Sequence, residues 1–137
     1  MHKVLIVDDH PFFLHGFGGF LEASGGFEIR TALSVDEAIA SIDEERPDLA
    51  MLDVTMHNGG GLKVLRHLRL HFPSVPAMFL TVHIDPEQTI DAMRLGVRGI
   101  ALKDSDPDTI AGAMKIVLGG GKWFESDVTE IALRHSI

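Results

Sequence analysis

Lys3-Val4-Leu5-Ile6-Val7 runs straight into Asp8-Asp9. A strand with one buried face alternates apolar and polar residues. An unbroken β-branched and apolar run is the habit of a strand buried on both faces, as in a parallel sheet. The pattern returns downstream. Leu49-Ala50-Met51-Leu52 runs into Asp53, and Pro76-Ala77-Met78-Phe79-Leu80 runs into Thr81. Residues 27–33 and 98–102 read as two further strands, the second ending at Lys103.

Helical spacing fills the gaps. Phe13, Phe17, Phe20 and Leu21 recur on one face, and Gly25-Gly26 stops them. Ser34 with Glu37 reads as a capping box ahead of Val35, Ala38, Ile39 and Ile42. Asn58-Gly59-Gly60-Gly61 reads as a loop, followed by a helix with Leu62, Leu65, Leu68 and Phe72 inward. Asp85-Pro86 and Asp106-Pro107 each set Pro at a first helical position. The first of these helices stops near Gly96. The second buries Ile110, Ala113, Met114 and Val117 before Gly119-Gly120-Gly121. Strand and helix alternate five times, which predicts an α/β fold with a parallel sheet. Gly16, Gly18 and Gly19 fall inside the first helix, where each costs up to about 1 kcal/mol relative to Ala, and they carry no functional reading.

The chain has 137 residues and is 45% apolar, which fits one domain with a proper core. It has no cysteine, so disulfides and thiolate metal sites are excluded. No apolar run is long enough to span a bilayer, and residues 1–7 lack a signal peptide's layout. The expected compartment is the cytoplasm, with no membrane partner. The formal charge of -8 argues against a nucleic-acid surface on this domain. Residues 1–121 are expected to form the domain. Residues 122–137 are expected as a tail, or as the start of a linker to an effector domain absent from the chain. Trp123 and Phe124 would anchor that tail, with a short helix near Val128–Leu133.

The predicted strand ends gather the chemistry. In open α/β sheets, ligands bind beyond the carboxyl ends of the strands. Asp8, Asp9, Asp53, Thr81 and Lys103 all stand there. Each has a plainer reading alone: turn aspartates, a β-branched strand end, a solvated lysine. Together they match phosphoryl transfer to a carboxylate. An aspartate can act as the nucleophile. A hard cation such as Mg²⁺ needs one or two carboxylates plus water and phosphate oxygens. Asp9 and Asp53 can hold it directly and Asp8 through a water. Lys103 adds fixed positive charge, and Thr81 can donate to a phosphoryl oxygen. Among the histidines, His57 and His83 fall in loops around this pocket. His67 and His71, four apart, read as a solvent-facing pair.

The quoted stretches, with Asp8-Asp9-His10-Pro11, Gly96-x-x-Gly99 and Lys103-Asp104, resemble the receiver domain of two-component response regulators over roughly residues 2–124. The NarL/FixJ (LuxR-type) branch is the nearest likeness. The resemblance implies a flavodoxin-like, doubly wound, five-stranded parallel sheet in the order 2-1-3-4-5 with five helices. It implies that Asp53 is phosphorylated by a sensor histidine kinase with Mg²⁺. Asp8, Asp9, Asp53 and the Thr55 backbone carbonyl would be the metal's protein ligands, and Thr81 and Lys103 would sense the phosphoryl group. Such a domain catalyses its own phosphotransfer and dephosphorylation and is not an enzyme with a separate substrate.

The implied output is a changed surface around the fourth helix, fifth strand and fifth helix. It would serve a homodimer formed on phosphorylation, or transcription through a helix-turn-helix domain that alone contacts DNA and that this chain is too short to include. The alternative is a stand-alone or atypical receiver acting through protein–protein contacts. Ile100 stands where the family commonly has a switching aromatic, so Thr81 and Ile100 form the expected switch. His57 and Asp104 replace prolines common in the family. Two other classes fit less well. An aspartate-nucleophile phosphatase commonly has a second acid two residues on, where Thr55 stands. A nucleotide binder of the same architecture would place a phosphate-cradling loop, not Asp8-Asp9, after the first strand.

Overall fold

A computed structural model describes residues 1–135. Six strands and six helices alternate along it: β1 (His2–Val7), α1 (Pro11–Ser24), β2 (Phe27–Ala32), α2 (Val35–Glu44), β3 (Leu49–Asp53), α3 (Gly60–His71), β4 (Ala77–Thr81), α4 (Pro86–Arg94), β5 (Gly99–Leu102), α5 (Pro107–Leu118), β6 (Trp123–Phe124) and α6 (Ser126–His135). A single 3₁₀ turn, His57–Gly59, precedes α3. One parallel sheet runs β2-β1-β3-β4-β5-β6.

The unbroken apolar runs become strands covered on both faces. Val4 and Ile6 pack with Leu21, Met51 and Met114 on the side of α1 and α5. Leu5 and Val7 point the other way, into a cluster with Leu52, Leu65 and Phe79 under α2, α3 and α4. Val4, Leu5, Ile6 and Val7 are all fully buried, and each such side chain contributes about 1.5–3 kcal/mol by leaving water. The helix starts behave as their sequences dictate. Ser34 Oγ accepts from the Glu37 N–H at 3.1 Å, Asp85 Oδ2 from Gln88 at 3.2 Å, and Asp106 Oδ1 from Asp108 at 2.8 Å. Each cap is worth about 1 kcal/mol. The capping box is incomplete, because Glu37 meets the Ser34 hydroxyl at 3.4 Å rather than its backbone N–H.

Four expectations are corrected. The sheet has six strands and the described residues form six helices, not five of each: the expected order is present, with β6 added beyond β5. Its two residues extend the sheet because Trp123 and Glu125 donate to the carbonyls of Arg98 and Ile100. The tail is therefore docked. α6 lies against α4, and Val128 is fully buried in the cluster that holds Ile100. Ser136 and Ile137, the end of the expected tail, lie outside the described residues. Second, the glycine stretch is only partly loop, since α3 begins at Gly60. A Cβ on Gly61 would meet the Asp53 carbonyl oxygen at 2.5 Å, so the bare backbone lets α3 start hard against the end of β3. Third, His67 does not face solvent. The packing of α2 on α3 brings Asp43 to 2.8 Å from its Nε2, and the side chain is only 16% exposed. Fourth, the outer edge of β5, part of the expected output face, is covered by residues 123–125.

Candidate functional site

Register alone assembles the acidic end of the sheet. Val7 pairs with Leu52, so Asp8 lies level with Asp53; Asp53 pairs with Leu80 and Thr81 with Leu102. Lys103 follows, its N–H donating to the Thr81 carbonyl at 2.8 Å. The expected residues Asp8, Asp9, Asp53 and Lys103 converge in one pocket. Lys103 Nζ lies 2.5 Å from Asp8 Oδ2 and 3.2 Å from Asp53 Oδ2. Both carboxylates have fully buried side chains. Buried charge is tolerable only when paired, and one ammonium serves two acids here. Asp9 is less enclosed, and its Oδ2 accepts from the His57 N–H at 3.4 Å.

Three partners are absent from the sequence reading. The first is Phe13, whose ring lies 4.8 Å from Lys103 Nζ and holds the ammonium over the pocket. The second is the Thr55 side chain. Its hydroxyl and N–H both donate to Asp53 Oδ1, at 2.8 and 3.0 Å, and leave Oδ2 facing Lys103. A hydroxyl two residues after a strand-end carboxylate is the signal that marks this turn. The third is His10. Its Nδ1 stands 2.8 Å from Asp8 Oδ1, 3.2 Å from Asp9 Oδ1 and 3.8 Å from Asp53 Oδ2.

Two expected residues are not in the pocket's centre. The Thr81 hydroxyl is turned aside, toward the His83 carbonyl. Ile100 lies beneath, only 2% exposed. Phe124 pairs beside it, and Val128 belongs to the same buried cluster.

The pocket has the donors of a cation site. Asp8, Asp9, His10 and Asp53 each place a ligand atom within 4.8 Å of the others. Asp8 Oδ2 and Asp9 Oδ1 are buried, and beyond Lys103 at 2.5 Å and the His10 ring at 3.2 Å they have no hydrogen-bond donor among the described residues.

A family model described as the response regulator receiver domain matches residues 4–115. The chain belongs to the response regulator receiver family. Among relatives, this receiver is 33% identical over 134 residues to the methanol utilization control regulatory protein MoxX of Paracoccus denitrificans, covering 96% of this chain and 60% of that one. It is 35% identical over 121 residues to the DNA-binding transcriptional activator DevR/DosR of Mycobacterium tuberculosis, covering 88% of this chain and 56% of that one. The receiver thus spans little more than half the length of these curated relatives. A LuxR-family two-component response regulator from an Aurantimonas species superposes with a TM-score of 0.89 at 26% identity, covering 100% of this chain and 99% of that one. No described helix of the receiver is long and apolar enough to cross a membrane.

Proposed function

We propose that this receiver takes a phosphoryl group onto Asp53 from a sensor histidine kinase, with Mg²⁺ in the acidic pocket, and relays the event as a changed surface. The observation that carries the reading is the asymmetry at Asp53. Thr55 occupies Oδ1 with two donors, while Oδ2 faces the Lys103 ammonium at 3.2 Å. Oδ2 is the oxygen left to attack. A P–O bond forms as the P–N bond of a phosphohistidine breaks, and the electron pair returns to the donor imidazole. Lys103 then has the charge and position to hold a phosphoryl oxygen.

Mg²⁺ would be held by Asp8, Asp9, Asp53 and the Thr55 backbone carbonyl. It supplies positive charge where three carboxylates would otherwise repel the incoming phosphoryl oxygens. The donor set supports that fit, since Asp8, Asp9 and Asp53 each bring an oxygen within 4.8 Å of the others and face a single lysine ammonium. Residues 1–121 form the receiver proper. Residues 122–137 connect its response to an effector, with transcription through a DNA-binding helix-turn-helix domain as the output. Self-association on phosphorylation is part of the same reading.

Intact mass after incubation with acetyl phosphate and Mg²⁺ tests the centre of it. The parent should gain one phosphoryl group and Asp53→Asn none. Equal labelling of both proteins would overturn the assignment.

A further inference from the structure

His10 is the residue in the pocket that a purely carboxylate cation site leaves unexplained. We propose that His10 is a metal ligand, and that its imidazole gives the pocket a preference for a divalent transition-metal ion over Mg²⁺. The inference rests on the reading of this pocket as a divalent-cation site.

Local structure fixes the ring where a ligand would stand. His10 immediately precedes α1, with Pro11 at the first helical position. Its N–H donates to Asp8 Oδ1 at 2.9 Å. Backbone and ring therefore turn back together over the end of β1. The side chain caps no helix N–H, so capping does not account for its orientation.

The spacing fits coordination. Ligand atoms about 2.1 Å from an ion and at right angles about it stand about 3 Å apart. His10 Nδ1 lies 2.8 and 3.2 Å from oxygens of Asp8 and Asp9. Asp8 is fully buried, and Lys103 Nζ faces its Oδ2 at 2.5 Å. Asp9 Oδ1 is buried with the His10 ring beside it at 3.2 Å. Three carboxylates face one ammonium there, and the remaining negative charge is what a dication would balance.

Two contacts bear on the hydrogen of Nδ1: Asp8 Oδ1, an acceptor, lies 2.8 Å away, and Lys103 Nζ, a donor, 3.4 Å away. The neutral tautomer with its hydrogen on Nδ1 suits the carboxylate. Neutral imidazole has a second tautomer, with that hydrogen on Nε2 and a lone pair on Nδ1. The side chain is 60% exposed, so the exchange can run through water. The Nδ1 lone pair is then available to an ion, and no net charge is lost from the ring. Carboxylates and carbonyls alone suit Mg²⁺, whereas imidazole suits zinc, iron, nickel and their neighbours. One nitrogen added to three carboxylates shifts the choice that way.

The rival role for His10 is a hydrogen-bond donor that neutralises Asp8. Removing it would then treat all dications alike, or tighten them by ending the competition. Calorimetric titration of the untagged protein with Co²⁺ and, separately, Mg²⁺ distinguishes the two. The parent, His10→Ala, His10→Asn and Asp9→Asn are compared, with the visible Co²⁺ absorption recorded alongside. His10→Asn keeps a polar residue before the helix in case Ala loosens its start.

The parent should bind Co²⁺ more tightly than Mg²⁺. Both His10 variants should lose Co²⁺ affinity by roughly tenfold or more, the scale at which even the outer partners of a metal ligand act. Mg²⁺ affinity should barely change, and the Co²⁺ spectrum should alter. Asp9→Asn should weaken both ions. Equal losses for the two ions, or Co²⁺ binding and spectrum unchanged in the His10 variants, would overturn the role of His10 and leave the cation site standing. No binding of either ion to the parent would overturn both this inference and the Mg²⁺ reading.

Discussion

The Thr81 hydroxyl donates a 2.6 Å hydrogen bond to the carbonyl oxygen of His83. The group that the proposed chemistry needs at the phosphoryl oxygen is thus engaged two residues along its own chain. Such a bond is worth about 0.5–1.5 kcal/mol net, and phosphorylation must exceed that to recruit Thr81. Thr81→Ala should still be labelled by acetyl phosphate. The backbone NMR shifts induced by beryllofluoride across residues 82–90 should largely vanish in it. A full response there would remove Thr81 from the switch.

Two glycines should respond to alanine with opposite signs. At Gly61 a Cβ meets the Asp53 carbonyl oxygen and Val54 Cα, at 2.5 and 2.9 Å. Backbone cannot yield cheaply, so Gly61→Ala should destabilise by about 1–3 kcal/mol and slow labelling of Asp53. At Gly16, inside α1, a Cβ meets nothing within 4 Å. Gly16→Ala should stabilise by about 0.5–1 kcal/mol. Urea unfolding of the two variants reads both signs.

Ile100 should behave as a packed core residue. Ile100→Val should cost about 0.5–1.5 kcal/mol. Ile100→Tyr, which restores the aromatic of the family pattern, should cost about 1–3 kcal/mol through overpacking. A tyrosine that is tolerated without loss of stability would show that the ring has found an outward position.

α6 holds through Val128, whose burial is worth about 1.5–3 kcal/mol. Val128→Asp should release the segment without unfolding the domain. The amides of Trp123 and Glu125, which bond to the carbonyls of Arg98 and Ile100, should then exchange roughly ten- to a hundredfold faster, in step with the lost burial. Unchanged exchange would mean that β6 is held by its own hydrogen bonds alone.

Chelation should abolish the labelling of Asp53 by acetyl phosphate, and added Mg²⁺ should restore it. Asp9→Asn should raise the Mg²⁺ concentration needed. Labelling indifferent to chelator would remove the cation from the chemistry.

The strands that position the site could be read directly, because burial on both faces forces unbroken apolar runs such as Val4–Val7 and Leu49–Leu52. Asp8, Asp53 and Lys103 followed from where those runs stop. β6 could not be read: two residues show no period, and Trp123 and Phe124 are only half-buried. Nor could His10, whose place depends on how the chain turns after β1 rather than on spacing. His67 misled because its face is set by a neighbouring helix. A histidine on an amphipathic helix carries no mark of an Asp43 waiting on α2. The orientation of the Thr81 hydroxyl depends on a rotamer, which residue type does not fix.

The short strand β6 has a consequence for how the protein must be made. A strand at the rim of a sheet presents free N–H and C=O groups that another chain can pair with. Here the apolar strand Gly99–Leu102 has its rim closed by residues synthesised some twenty positions later. Chains grow at about 5–20 residues per second, so the rim stands open for on the order of a second in every nascent molecule. A chain interrupted between α5 and β6 would keep it open. Such fragments should aggregate where the whole chain does not, although every residue of the acidic pocket is already in place.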